Sequence, residues 1–295
     1  GAFRLMKPAT SLLPLFVAPL AACACGRLDS IPATPAHTPE SWLASQPWVE
    51  FEVASRTIVV VQPSTTIIVL GLSLLSLGIG FRLLRTRARE VSRLWWGAGL
   101  VLWGVGGLLA GASYEAFSYA IKCAGRPTCV FTTWWEVVYL ILTAWSINAM
   151  MLAEAHACSR GEWRRAFAAG ALLSSLVYPV VVLVGAFVPI RFLISFEFFV
   201  LVASPSVLAC LGLRTARYLR SGSRADLALL GTWLWLMVTV GAYYAYLLLD
   251  VTGTLWARGI WFSENDVLHV GLIAWMLSIA FVIAPGLRDL PEERS

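Results

Sequence analysis

The sequence predicts an all-α fold: a seven-transmembrane helix bundle with an extracytoplasmic N-terminus, a cytoplasmic C-terminus and a short extracytoplasmic β-hairpin-like segment before the first helix. Three observations predict it: an apolar composition, seven apolar segments of spanning length, and a one-sided distribution of arginine. Hydrophobic residues make up 59% of the chain and charged residues 13%, whereas soluble domains carry roughly 25% charged residues. We therefore expect an integral membrane protein.

Residues 1–25 are interpreted as a signal sequence. The run from Met6 to Cys25, MKPATSLLPLFVAPLAACAC, has one basic residue, a short apolar stretch and small residues at its end. Its LAAC tetrapeptide also fits the cleavage box of a bacterial lipoprotein, which predicts lipidation of Cys23. An uncleaved signal and a chance match in an alanine-rich tract are the alternatives. Such a signal indicates a protein of the bacterial cytoplasmic membrane.

Residues 26–64 are predicted to be an extracytoplasmic linker followed by two short strands. Residues 26–48 are rich in Pro, Thr and Ser and lack an apolar period, as surface linkers do. The run WVEFEVASRTIVVV, from Trp48 to Val61, alternates and is rich in β-branched residues. This pattern favours a hairpin lying over the outer membrane face.

Residues 65–285 are predicted to form the seven-helix transmembrane domain, and residues 286–295 a cytoplasmic tail. Each apolar segment has close to the roughly 20 residues that cross a bilayer core. The segments lie at about residues 65–84, 95–118, 131–155, 164–188, 191–214, 226–249 and 264–285. The sequence shows no internal repeat and no soluble catalytic domain.

Arginine-rich loops predict the orientation. Three alternate loops carry Arg82, Arg85, Arg87, Arg89 and Arg93, then Arg160, Arg164 and Arg165, then Arg214, Arg217, Arg220 and Arg224. The positive-inside rule places these loops in the cytoplasm and the N-terminus outside. We interpret them as topology determinants rather than nucleic-acid or acidic-lipid sites, and expect no nucleic-acid partner. A retinal protein is excluded, since the only lysines are Lys7 and Lys122 and the last helix has none.

One pair of cysteines is predicted to form a disulfide. Six cysteines are too few for a disulfide scaffold. In KCAGRPTC, however, Cys123 and Cys129 flank a tight turn in a loop expected outside the membrane, where disulfides persist. A reduced pair and a metal-binding pair are the alternatives.

Ionisable residues near the outer ends of four helices form the candidate site. They are Glu115, Glu136, Glu197, Asp266 and His269. Counting along the helices at about 1.5 Å per residue places all of them in the outer third of the bilayer. Each would be costly facing lipid, so we expect them to converge inside the bundle or in a cavity open to the outside. Asn265 and Glu197 are expected to be polar supports of this site.

Two interpretations of these residues stay open. In the first, Glu115, Asp266 and His269 are ligands of a catalytic zinc, and Glu136 orients the metal-bound water or takes its proton. In the second, Asn265 and Asp266 cap the seventh helix, His269 donates to a neighbouring carboxylate, and the acids share protons in a wet vestibule. The site has one histidine and no HxxxH or HExxH spacing.

Four stretches of the chain resemble a known superfamily of membrane proteins. They are VVQPSTT at residues 60–66, GASYEAFSY at 111–119, TWWEVVYL at 133–140 and FSENDVLHV at 262–270. Together they resemble an uncharacterised seven-helix family that looks related to the CREST superfamily, which includes alkaline ceramidases and progestin/adiponectin-type receptors. The resemblance extends from about residue 60 to 285.

The resemblance implies a zinc-dependent amide hydrolase site on a bundle with its N-terminus outside. The superfamily pattern has a serine and a histidine on the second helix, an aspartate on the third and an HxxxH pair on the last. Carried over by position, it falls on Ser113, on Glu115 or Phe117, on Glu136, and on Asn265 and His269. Catalytic roles for Ser113 and Glu136 follow from the resemblance, but two of the three histidines are replaced.

The leading hypothesis is a ceramidase-like, metal-dependent hydrolase, or a binder of a lipid or small amphiphile, with its pocket at the outer leaflet. Glu115, Glu136, Asp266 and His269 would form the site, with zinc as the cofactor. The alternative is a non-enzymatic sensor or an accessory subunit of a membrane complex, which would copurify with partners. Proton or ion translocation ranks last, because the inner half of the segments offers almost no polar route.

Overall fold

A computed structural model describes residues 27–290 of the chain. The predicted signal sequence, including Cys23, lies outside the described residues. Within residues 27–290, seven helices are long and apolar enough to cross a membrane, and a two-stranded antiparallel sheet precedes the first of them. The predicted seven-helix fold with an N-terminal hairpin is therefore confirmed.

The seven long helices each overlap one predicted segment. In chain order they are Pro63–Arg85, Val91–Ala116, Trp134–Cys158, Gly161–Phe187, Phe196–Ser221, Arg224–Leu248 and Glu264–Gly286. We call them the first to the seventh long helix. The second changes to a π-helix over Gly111–Ala116, and the seventh does so over Ile279–Ile283. Short helices occupy Pro39–Ala44, Ser118–Lys122 and Val251–Trp256, and a 3-10 turn occupies Arg191–Ile194.

Local sequence signals set the ends of the long helices. Pro63 begins the first helix, where its missing N–H leaves no helical hydrogen bond unmade. The N-caps of the fifth, sixth and seventh helices are Ser195, Ser223 and Ser263, and each side chain accepts a hydrogen bond from a backbone N–H of the first turn. The C-cap of the fifth helix is Gly222, whose φ of 61° lies in the left-handed region that glycine tolerates.

The N-terminal sheet is a tight hairpin. Strand β1, Trp48–Val53, pairs with strand β2, Arg56–Val61, and Val53 lies opposite Arg56. The two residues between them, Ala54 and Ser55, have φ values of 49° and 64°. Positive φ at both positions is the type I′ geometry that matches the twist of two-residue hairpins.

The segment predicted to be a surface linker is instead packed on the bundle. Leu28 and Ile31 are buried in one core cluster with residues of the third, fourth and fifth long helices. Ala33 N donates to Cys129 O at 2.9 Å, and Phe131 N donates to Ile31 O at 2.7 Å. The backbone of this extended segment hydrogen-bonds to the loop that precedes the third helix. These backbone hydrogen bonds hold the segment on the bundle, although its sequence has no periodic apolar face.

Contacts between loops define two ends of the bundle. At one end, which we call the hairpin end, Arg126 pairs with Asp29 at 3.1 Å, and Thr65 Oγ1 lies 3.4 Å from Ser263 Oγ. At the other, the tail end, the Asp289 carboxylate accepts hydrogen bonds from the backbone N–H groups that begin the second long helix, at 2.6 and 2.9 Å. The arginine-rich loops lie at the tail end, and the side of the membrane that this end faces stays a prediction.

A buried ion pair that sequence analysis did not anticipate joins the third and fifth long helices. Arg214 Nε lies 2.5 Å from Glu154 Oε2, and Arg214 Nη2 donates to Glu154 Oε1 at 2.9 Å. Both side chains are almost fully buried. The half of the bundle nearer the tail end is therefore more polar than expected, but these charges are paired with each other.

The predicted orientation can be tested with a membrane-impermeant maleimide, because residues at both ends are exposed. Glu52 lies on β1 and Thr86 follows the first long helix. We expect Glu52→Cys to react in intact cells and Thr86→Cys to react only after permeabilisation. The parent chain provides the background, since its described free cysteines, Cys158 and Cys210, are buried. Labelling of Thr86→Cys in intact cells would contradict the orientation.

Candidate functional site

A cavity of about 260 Å³ lies within the bundle. Among the described residues, its wall comes from every long helix except the fourth. Large apolar side chains make up most of it, including Trp103, Phe199, Trp233 and Trp275. The lining residues within 27–290 include no Asp, Glu, Lys or Arg. The cavity is therefore lined mainly by apolar and aromatic groups and holds no Asp, Glu, Lys or Arg in its described wall.

The serine and threonine hydroxyl groups in this wall are satisfied by their own helices. Ser73 Oγ donates to Val69 O at 2.7 Å, Thr143 Oγ1 to Tyr139 O at 2.9 Å, and Ser204 Oγ to the carbonyl one turn before it at 2.6 Å. Such bonds to the preceding turn let a hydroxyl sit in apolar surroundings without an outside partner. These three groups therefore need nothing from a molecule in the cavity.

His269 differs from the hydroxyls because one of its ring nitrogens is not satisfied. The ring lines the cavity and interacts with the backbone of Asn265, one turn earlier on the seventh helix. Its buried Nδ1 makes no hydrogen bond of normal geometry within residues 27–290. A buried nitrogen without a partner is costly. A rotation of the ring that brings this nitrogen to a hydroxyl, amide or water in the cavity would therefore be favourable.

Three of the four predicted acids lie in a polar cluster at the hairpin end and are absent from the described wall of the cavity. We define the polar cluster as Glu115, Lys122, Glu136, Asn265 and Asp266. Glu115 Oε1 accepts a hydrogen bond from Asn265 Nδ2 at 3.3 Å. Glu115 also interacts electrostatically with Asp266, and the two side chains are 4% and 0% exposed. The second and seventh long helices therefore meet through polar groups here.

Glu136 is held by a lysine and by its own helix terminus. Lys122 Nζ lies 2.6 Å from Glu136 Oε1, and both side chains are buried. Glu136 also closes a capping box, because Thr133 N donates to its Oε2 at 3.2 Å. Lys122 Nζ in turn lies 4.7 Å from the centre of the Tyr114 ring. The carboxylate is thus engaged on both oxygens.

Asp266 also belongs to a capping box, and this corrects the predicted cap. The N-cap of the seventh helix is Ser263, not Asn265 or Asp266. Ser263 N donates to Asp266 Oδ2 at 2.6 Å, and Asp266 N donates back to Ser263 Oγ at 3.3 Å. Asn265 does not cap the helix, and its side chain reaches Glu115 instead. His269 does not donate to a carboxylate in any hydrogen bond of the described residues.

Two further predicted site residues lie elsewhere. Ser113 is buried in the π-helix of the second long helix, and its Oγ donates to Leu109 O at 2.9 Å. Glu197 lies in the first turn of the fifth long helix and is exposed. It is absent from the described lining of the cavity. The expected convergence of Glu197 with the other acids is therefore not observed.

The structure does not bring the three expected zinc ligands into one metal site. Glu115 Oε2, Asp266 Oδ1 and His269 Nδ1 each lack a hydrogen-bond partner among the described residues. Nevertheless, residues 27–290 contain no group of three or more His, Cys, Asp or Glu side chains placed to hold a metal ion. The arrangement of these donor atoms within residues 27–290 does not fit a zinc site.

Cys123 and Cys129, the predicted pair, are joined by a disulfide.

Lys122 is the site residue that sequence analysis missed. It is one of two lysines in the chain, and it lies between the acid-bearing helices and the disulfide. The available signal in the sequence was a rare lysine placed close to acids of similar predicted depth in the membrane. A second missed signal is the spacing of Thr133 with Glu136 and of Ser263 with Asp266, since a hydroxyl residue followed three positions later by an acid marks a capping box.

No protein-family model, curated protein or solved structure matches the chain.

The buried pair of Lys122 and Glu136 predicts a strong stability effect. We expect Lys122→Met to destabilise the protein by about 3–5 kcal/mol, because it leaves a buried carboxylate without its cation. Adding Glu136→Gln removes that charge while keeping the capping hydrogen bond. The double variant should therefore regain most of the lost stability. Thermal unfolding in detergent measures both variants.

The matched control for this pair is Arg126→Met in the same loop. Arg126 pairs with Asp29 at 3.1 Å, but the side chains are 32% and 41% exposed. An exposed pair contributes at most about 1 kcal/mol. If Lys122→Met were as mild as Arg126→Met, the polar cluster would not depend on this ion pair.

Proposed function

We propose that the protein binds a small neutral amphiphile, such as a single-chain lipid alcohol or amide, in the cavity lined by His269. The observation that carries the proposal is the combination of an uncharged apolar wall with one unsatisfied ring nitrogen. Apolar pockets with a few convergent polar groups are the usual form of small-molecule sites. The polar cluster would then position the wall rather than perform chemistry.

The size of the cavity supports a small ligand. At about 260 Å³ it exceeds the roughly 150 Å³ engineered cavity that admits benzene. It lies just below the roughly 300–1,000 Å³ that is typical of drug-sized sites. A single acyl or isoprenoid chain fits this range better than a two-chain lipid does.

The wall chemistry supports a neutral headgroup. A charged headgroup would need an opposite charge or many hydrogen bonds to offset its desolvation, and the described lining offers no charged side chain. A hydroxyl, carbonyl or amide needs only one or two partners. His269 supplies one of them, and the hydroxyls of Tyr243 and Tyr244 lie in the same lining.

Entry from the bilayer is supported by the thin wall near the fifth long helix. Leu208 lines the cavity and is 58% exposed. Pro205, one turn before it, lies inside the helix and cannot donate a backbone hydrogen bond, which weakens the helix locally. A ligand dissolved in the membrane would therefore reach the cavity beside the fifth helix.

Filling the cavity should block binding. We expect Ala203→Phe, in the cavity wall, to weaken binding of a brominated long-chain alcohol about tenfold, since an overpacked site costs about 1–3 kcal/mol. Quenching of tryptophan fluorescence measures occupancy, because Trp233 and Trp275 line the cavity and are 1% exposed. The matched control is Leu201→Phe on the same helix, where the side chain is 61% exposed. Equal effects of the two variants would contradict the site.

Removing the ring nitrogens should reduce affinity only for ligands with a polar headgroup. We expect His269→Phe to weaken binding of the alcohol about two- to tenfold. The reason is the loss of one hydrogen bond, whose net contribution is about 0.5–1.5 kcal/mol. A brominated alkane without the hydroxyl should bind the variant and the parent chain equally. Equal losses for both probes would show that His269 shapes the cavity and does not bind the headgroup.

A further inference from the structure

A second pocket, of about 520 Å³, lies at the tail end of the bundle. We call it the tail-end pocket. Its lining includes Ser159, Trp163, Arg217, Arg220, Asp226 and Leu290. It is bounded by the junction of the third and fourth long helices, the junction of the fifth and sixth, and the chain that follows the seventh. It is separate from the cavity that contains His269.

The described lining of this pocket is rich in arginine. Arg160, Arg217 and Arg220 contribute to it, and Asp226 is the acid among its described residues. The Asp226 carboxylate is already compensated, because it accepts hydrogen bonds from Arg217 Nε at 2.8 Å, Ser221 Oγ at 2.5 Å and Ser223 Oγ at 3.0 Å. Asp226 therefore does not compensate the charge of Arg220, which remains for a ligand.

Arg217 and Arg220 have different roles in the pocket. Arg217 is fixed in place, since its Nη1 donates to Ala157 O and its Nε to Asp226. Arg220 lies one turn later, in the last turn of the fifth helix, and is exposed. One guanidinium is thus pre-organised and the other is accessible, which suits an anion that accepts several hydrogen bonds, as phosphate does.

An apolar surface begins directly beside the pocket. Trp163, in the first turn of the fourth long helix, lines the pocket and is 71% exposed, as tryptophans at the membrane interface are. Leu172, Leu173, Leu176 and Val177 of the same helix are 50–71% exposed. An acyl chain could lie along this face while its headgroup occupies the pocket. A free phosphate would gain nothing from that face.

We propose that the tail-end pocket binds the phosphate group of an anionic membrane lipid, with Arg220 as the accessible ligand-binding side chain and Arg217 as the fixed one. Basic pockets between helices on the cytoplasmic side are suited to anionic headgroups. The proposal uses the predicted orientation, in which the tail end faces the cytoplasmic leaflet. It revises the interpretation of Arg217 and Arg220 from the sequence, which assigned them to topology alone. It does not depend on the cavity or on its ligand.

Native mass spectrometry of the delipidated full chain tests the proposal. Phosphatidylglycerol and phosphatidylcholine with the same acyl chains are added in turn. We expect the parent chain to retain one phosphatidylglycerol preferentially, and Arg220→Gln to lower that occupancy about fivefold, the effect of one interfacial arginine. The matched control, Arg224→Gln, removes the same charge from the same loop at an exposed position outside the described pocket lining. It should leave the occupancy unchanged.

Two results would overturn the proposal. Equal effects of Arg220→Gln and Arg224→Gln, or no preference for phosphatidylglycerol, would mean that the basic loops attract anions without a defined site. Displacement of the lipid by millimolar inorganic phosphate would assign the pocket to a soluble anion instead. If Arg220→Gln does not fold, Arg220→Lys gives the same comparison, since lysine keeps the charge but loses the two-pronged hydrogen bonds to phosphate.

Discussion

The structure depends on one constraint: a polar or charged side chain inside a hydrocarbon layer must find its partner within the protein. Glu136 is paired with Lys122, and Glu154 with Arg214. Asp266 is bound to the first turn of its own helix. All three solutions lie toward the ends of the long helices. The middle of the described bundle holds no Asp, Glu, Lys or Arg side chain, and there the cavity forms without a charge in its described wall.

The long helices and the hairpin could be predicted from sequence because hydropathy and alternation are local properties. The convergence of the acids could not, since residue counting fixes the depth of a side chain but not the side of the helix it occupies. Glu136 and Asp266 have the predicted depth, yet each turns back to the N-terminus of its own helix. Lys122, which joins the cluster from a short helix outside the long ones, could not be placed from depth alone.

The candidate site is split between two layers that share the seventh helix. Asn265 contacts Glu115 in the polar cluster, and His269, one turn further, lines the cavity. A second link runs through Tyr114, whose ring lies under Lys122 and 5.9 Å from the ring of Tyr139 in the cavity wall. The polar cluster thereby fixes the seventh and third long helices, which carry His269 and Tyr139 of the cavity wall. This division explains why residues grouped by the sequence as one catalytic set have separate structural roles.

The central claim is that the His269 cavity holds a neutral amphiphile while the acids remain paired beside it. The most direct test is an experimental density map of the protein purified in lipid from its native membrane. We expect elongated density within the cavity that ends beside His269, with Lys122 still in contact with Glu136. A cavity closed by repacked side chains, or an ion bound jointly by Glu115, Asp266 and His269, would contradict it.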